Sequence, residues 1–143
     1  MMSTVFQAGG MMILTFSAAL ATSQEQPGQR APLAYPAEQN LKFAAPDADV
    51  RPFIDRFENQ QREVFALRNE IVRLVGPKPG MAVADIGAGT GLFTRAFADR
   101  VLPDGIVYAV DIGPAFLRHI AEQSERLGQM DVVRTVLNTQ ESA

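Results

Sequence analysis

Apolar and polar residues alternate in three different ways along the chain. Met11 to Ala21 (MMILTFSAALA) is an apolar run broken only by Thr15 and Ser17, and the first charged side chain, Glu25, comes after it. Ala19-Leu20-Ala21 then has the small-x-small form of a signal-peptidase site, followed by polar Thr22-Ser23-Gln24, so residues 1–21 resemble a secretory leader without a basic residue ahead of it. Gln7-Ala8-Gly9-Gly10 interrupts the length of about 20 apolar residues that a stable membrane span needs. Residues 22–50 lose the pattern altogether. They carry Pro27, Pro32, Pro36 and Pro46 among Gln, Ala, Ser and Asp, and are expected to be a linker in which neither helix nor sheet propagates.

From residue 51 onward the periodicity is that of a folded domain. Val64, Leu67, Ile71 and Leu74/Val75 recur at helical spacing, with Arg62, Arg68, Glu70 and Arg73 on the solvated side, and predict one helix over 63–75. Gly76-Pro77-Lys78-Pro79-Gly80 stops it. Met81–Ile86 (MAVADI) reads as a buried strand, with Met81 in the core, and Leu92–Val101 as a helix turning Phe93, Ala96, Phe97 and Val101 inward. Ile106–Val110 (IVYAV) is a second strand, Pro114 to about Leu127 a helix with Phe116, Leu117, Ile120 and Ala121 inward, and Val132–Leu137 a third strand. Strand and helix in alternation predict an α/β domain with a parallel sheet, first strand innermost and third outermost.

Composition narrows the chemistry. The chain has 143 residues, 47% of them hydrophobic, and a formal charge of −3, so no overall positive field gathers nucleic acid or an anionic membrane. With no cysteine and a single histidine, His119, thiolate nucleophiles, disulfides and multi-histidine metal centres are excluded. His119 stands beside inward Ile120 with no visible partner and reads as a half-exposed surface residue rather than a base. Phe53, Phe57 and Phe65 precede the sheet; they pack the first helix onto it, or form a lid over a ligand.

The chemistry lies at the first strand–helix junction, Asp85-Ile86-Gly87-Ala88-Gly89-Thr90-Gly91. Glycines there let the backbone turn sharply and approach a ligand, and the N–H groups of the following helix face the same space. Twenty residues after Gly91, Asp111 ends the second strand at the same edge, where a carboxylate can accept both hydroxyls of a ribose. A dinucleotide fingerprint requires a third small residue at the sixth position, but Leu92 or Thr94 stands there, and no Gly-Lys-Ser/Thr follows to make a P-loop. Asp85 at the loop entrance is expected to repel a pyrophosphate and to suit a ligand bearing ammonium and sulfonium charge.

The stretch VADIGAGTGLFTRAFA (Val83–Ala98) followed by VYAVDI (Val107–Ile112) resembles the cofactor-binding half of the class I S-adenosylmethionine-dependent methyltransferases. The resemblance covers about residues 51–143 and is most specific over 76–117. It implies a Rossmann-like parallel sheet and S-adenosyl-L-methionine as cofactor. By position, Asp85, Gly87, Ala88, Gly89, Thr90 and Gly91 form the loop around its methionyl part, Asp111 holds the ribose and Ile112 packs on the adenine. Where the family usually has an acid for the adenine amino group, this chain has Thr139 and Gln140, so neutral groups or backbone are expected to take that role.

The family's sheet has four further strands in the order 3-2-1-4-5-7-6, with substrate and acid–base residues after the fourth. The chain is therefore expected to be the N-terminal half of such a domain, truncated after its third strand. Its first strand would then be an unpaired edge, its apolar faces would lack helices, and alone it would fold poorly and be inactive. No catalytic residue is identified. The expected partner is a small-molecule methyl acceptor, with no nucleic acid and no stable membrane span. Export through the leader stands against a cytoplasmic location, where the cofactor is made. An NAD- or nucleotide-binding oxidoreductase fragment and a non-catalytic cofactor-binding module are the alternatives.

Overall fold

The computed structural model describes residues 2–8, 11–17 and 37–138. In chain order these form β1 (Met2–Ala8), β2 (Met11–Ser17), α1 (Ala37–Ala44), α2 (Arg51–Phe57), α3 (Glu63–Ala66) and α4 (Arg68–Val75). They are followed by β3 (Ala82–Ile86), α5 (Leu92–Val101), β4 (Ile106–Asp111), α6 (Pro114–Arg126) and β5 (Val133–Leu137). One sheet takes the strands in the order β1-β2-β3-β4-β5. The last three are parallel, with β3 inside and β5 at the edge, as the alternating pattern predicts.

Val83, Val107 and Val133 lie in register across β3, β4 and β5. All three share one core cluster with Phe93, Phe97 and Val101 of α5 and Leu117 and Ile120 of α6, so both helices cover the same sheet face. Fully buried Phe97 and Val107 each contribute about 1.5–3 kcal/mol by leaving water. On the opposite face, one residue out of phase, Ile86, Tyr108 and Val110 are half-buried and Val136 is exposed.

Three elements differ from the sequence expectation. First, β3 is not an unpaired edge: β2 runs parallel to it, Met11 opposite Ala82 and Thr15 opposite Ile86, and β1 pairs antiparallel with β2. The apolar run expected to serve as a leader is also long enough to match a five-residue strand; Ala19-Leu20-Ala21, its expected cleavage site, lies outside the described residues. Second, α1 occupies part of the expected linker. AEQNLKFA contains no proline, and it fits between Pro36 and Pro46. The Arg118 guanidinium donates to the Pro46 carbonyl and so holds the segment after α1 against α6. Residues 22–36 lie outside the described set. Third, the helix predicted over 63–75 divides at Leu67, where the Phe65 carbonyl accepts a bond from Arg68 Nη1 at 2.8 Å. A side chain thus takes a carbonyl that an unbroken helix would give to its own ladder. Gly76, in the left-handed region at φ +73°, ends α4.

Candidate functional site

The junction between β3 and α5 opens at the carboxyl ends of the strands. Gly87 and Ala88 both donate their backbone N–H to the Val110 carbonyl, at 2.8 and 3.0 Å, which fastens the turn to the end of β4. Gly91 closes it, donating to the Ala88 carbonyl at 2.9 Å. Gly91 has φ +78°, and a Cβ there would stand 2.7 Å from Cγ1 of Ile120. Only glycine meets both the conformation and the close approach of α6. A Cβ on Gly87 would meet nothing within 4 Å, so this stretch of backbone is open rather than packed.

Asp111 organises the other side. Its Oδ2 accepts from Gly89 N–H and its Oδ1 from Gly113 N–H, both at 2.8 Å. One half-buried carboxylate therefore holds the glycine turn and the start of α6 at once. Gly113 is crowded as well: a Cβ on it would lie 2.5 Å from the Phe43 carbonyl oxygen and 2.6 Å from the Phe116 ring.

Beside the turn and this carboxylate lies a cavity of about 410 Å³, lined by Ile86, Gly87, Gly89, Val110, Asp111, Ile112 and Asn138 and by three aromatic rings, Phe43, Phe57 and Phe116. That volume falls within the range of about 300–1,000 Å³ usual for small-molecule sites. The rings come from α1, α2 and α6. Phe53 joins them from behind, its centroid 5.4 Å from Phe43, 5.2 Å from Phe116 and 6.0 Å from Phe57. Such separations are those of attractive tilted and edge-on pairs. Together they make an aromatic cover over the strand ends.

Of the residues named from sequence, Gly87, Gly89, Asp111 and Ile112 come together on this cavity. Ala88, Thr90 and Gly91 shape the turn without lining it. Thr139 and Gln140 lie outside the described residues; Asn138, just before them, does line the cavity, and its N–H donates to the Asp111 carbonyl at 2.9 Å. Asp85 is placed differently from its expected role facing the ligand. It is 3% exposed, and its Oδ2 accepts the Thr94 hydroxyl at 2.6 Å. Along β3 it shares the Val83 face, so its carboxylate lies beneath α5 rather than in the cavity. Burial pushes its pKa up to about 6, against the hydrogen bonds from Thr94 that pull it down, and the charge of Asp111 adds to the rise. His119 is half-buried, does not line the cavity and has its pKa lowered, first by burial and then by Arg95.

Phe43 and Phe116 were not among the residues named for the site. Phe116 carried only the signal of an inward helical position, and Phe43 fell in the stretch expected to be linker. The one hint of Phe43 in the sequence is the clustering of phenylalanines ahead of β3, Phe43, Phe53 and Phe57. Phe65, grouped with these in sequence, lies instead under the Arg68 guanidinium, 4.4 Å from its ring centroid.

A profile of the family described as "Methyltransferase domain" matches residues 83–141. A protein-L-isoaspartate O-methyltransferase from Pyrobaculum neutrophilum is 32% identical over 109 residues, covering 73% of this chain and 51% of that protein. A ubiquinone/menaquinone biosynthesis C-methyltransferase from Bordetella avium is 51% identical over 41 residues, covering 29% of this chain and 16% of that protein. Among solved structures, a SAM-dependent methyltransferase from Aquifex aeolicus superposes with a TM-score of 0.53 at 25% identity, over 64% of this chain and 48% of that one. The chain thus spans about half or less of the length of these relatives.

Proposed function

Residues 83–141 are a methyltransferase domain of the class I S-adenosylmethionine-dependent kind, and from that premise we propose that the cavity beside Asp111 binds S-adenosyl-L-methionine for transfer of its methyl group. The observation that carries the reading is the meeting of Gly87, Gly89 and Asp111 on one cavity at the strand ends. When bound, the cofactor supplies an electrophilic methyl group on a sulfonium.

The residues present fit that ligand. A carboxylate has about four lone-pair sites; Asp111 spends one on Gly89 and one on Gly113, and keeps the others for a pair of ribose hydroxyls. Ile112, Val110 and the rings of Phe57 and Phe116 offer apolar surface to an adenine base. Gly87, with no neighbour near its absent side chain, lets the methionyl part lie against the backbone. The chain's contribution to methyl transfer is then to hold and orient the donor, which is a large part of what any enzyme can contribute to a displacement between two bound reactants.

Calorimetric titration of the full chain with S-adenosylhomocysteine and with NAD tests the reading. Heat with the first and none with the second is expected, and Asp111→Ala should weaken binding by about tenfold or more, since hydrogen bonds to a charged group are worth about 1.5–3 kcal/mol. No heat with S-adenosylhomocysteine, or equal affinity after Asp111→Ala, would sink it.

For the acceptor, we propose a small molecule. Relatives are named for ubiquinone/menaquinone biosynthesis and for ornithine lipid, though others are named for protein L-isoaspartate. Incubation of the chain with cell extract and methyl-labelled donor separates these: label in the low-molecular-weight or lipid fraction supports it, and label in the protein fraction alone overturns it.

A further inference from the structure

The glycine turn and the aromatic cover are separate in sequence, yet one side chain grips both. Arg95, in the first turns of α5, donates from Nη1 to the Thr90 carbonyl at 2.9 Å and from Nη2 to Glu58 Oε2 at 2.6 Å. Thr90 belongs to the turn. Glu58 caps the C-terminus of α2, directly after cavity-lining Phe57. Both charged side chains are largely withdrawn from water, at 19% and 14% exposure. The second oxygen of Glu58 is buried without a hydrogen-bond partner.

A half-satisfied ion pair removed from water is a poor source of stability, because desolvation offsets most of the attraction. Its geometry is better explained by what it fixes. The planar guanidinium presents donors in a rigid fork, and here the prongs end on two structures that both line the cavity, the turn through Gly87 and Gly89 and α2 through Phe57. No other hydrogen bond or ion pair described at the turn reaches α2.

We propose that Arg95 is a positioning residue that couples the glycine turn to the α2 cover through Glu58, so that ligand bound at the turn also fixes Phe57 over it. The proposal rests on the cofactor reading above. It predicts a coupling between two segments that a purely structural ion pair would not create. A lysine at the same position keeps the charge but reaches as a single point and cannot clasp both acceptors.

Hydrogen-exchange mass spectrometry on the full chain, with and without S-adenosylhomocysteine, reads the coupling directly. In the unmodified chain the ligand should slow exchange in two segments, residues 87–91 and residues 51–58. In Arg95→Lys, protection over 87–91 should persist, protection over 51–58 should be lost, and affinity should fall about tenfold, a usual size for coupling between sites. Should Arg95→Lys fail to fold, Glu58→Gln tests the same link, because it removes the charge from the cover side alone. Ligand protection of 51–58 that survives in either folded variant would overturn the proposal. So would protection of 87–91 without 51–58 in the unmodified chain. Absence of protection in both segments would overturn the cofactor reading, and this proposal with it.

Discussion

Asp85 and Asp111 are two acids at the ends of neighbouring strands with opposite roles. Asp111 follows Val110 at the carboxyl end of β4 and keeps its oxygens on backbone amides beside the cavity. Asp85 precedes Ile86, faces α5 and is sealed in with Thr94. Spacing in the sequence placed both at the right end of the sheet. It could not show which face each side chain takes, because that depends on where α5 lies across the strand. The difference is measurable. The folded-state pKa of Asp85, about 6, lies above its ordinary 3.8, so folding favours the protonated form. The stability this gives is complete below about pH 4 and is lost as pH rises through about 6, a change on the order of 3 kcal/mol. Asp85→Asn keeps an acceptor for the Thr94 hydroxyl and does not titrate. Its melting temperature should therefore gain on that of the unmodified chain between about pH 4 and pH 7; a gap constant across that interval would show that Asp85 is not the titrating group.

Elements with their own periodicity or punctuation were legible. β3, α5, β4, α6 and β5 all stand within a residue or so of where alternation, Gly91, Pro114 and Gly128 put them. What escaped was set by contacts between distant segments. α1 has the proline-flanked composition of a linker, and what holds it is tertiary: Phe43 against Phe53 and Phe116, and Arg118 on Pro46. The division of the helix at Leu67 likewise turns on a side chain, Arg68, competing for a backbone carbonyl. Phe53 packs against Phe116 behind the cavity, and Phe57 lies on the cavity wall. Two truncations separate these roles. Phe116→Ala removes a ring only 2% exposed and should lower stability by about 3–5 kcal/mol in chemical denaturation. Phe57→Ala should leave most of that stability and instead weaken S-adenosylhomocysteine binding; the reverse ranking in melts and titrations would put Phe57 in the core and not in the site.

At the scale of the whole molecule, the sheet is covered by α5 and α6 on one face, and its centre is completed by the first residues of the chain. The resemblance to a methyltransferase half was legible from residues 83–112 alone, because that chemistry is local to one turn and one strand end. The pairing of β2 with β3 was not, since nothing in MMILTFS specifies a partner far along the sequence. β2 falls within the run expected to serve as a leader; without it β3 would keep β4 on one side and present an open edge on the other. Deleting residues 1–17 should lower the melting temperature and promote self-association through the exposed edge of β3, read by light scattering during the melt. An unchanged melt would mean that β2 adds nothing to the sheet's stability.

The placement of β2 also orders events in time. Residue 11 meets residue 82, so β2 finds its place only after β3 has been synthesised. Every parallel contact that β2 makes is a long-range contact, and closing so long a loop is slow compared with forming the neighbouring β3–α5–β4 unit. Until then an apolar stretch stays unpaired, open to whatever binds emerging hydrophobic chains. The time between synthesis of residue 17 and residue 86 is thus the interval in which the fate of β2, docking or diversion, is decided.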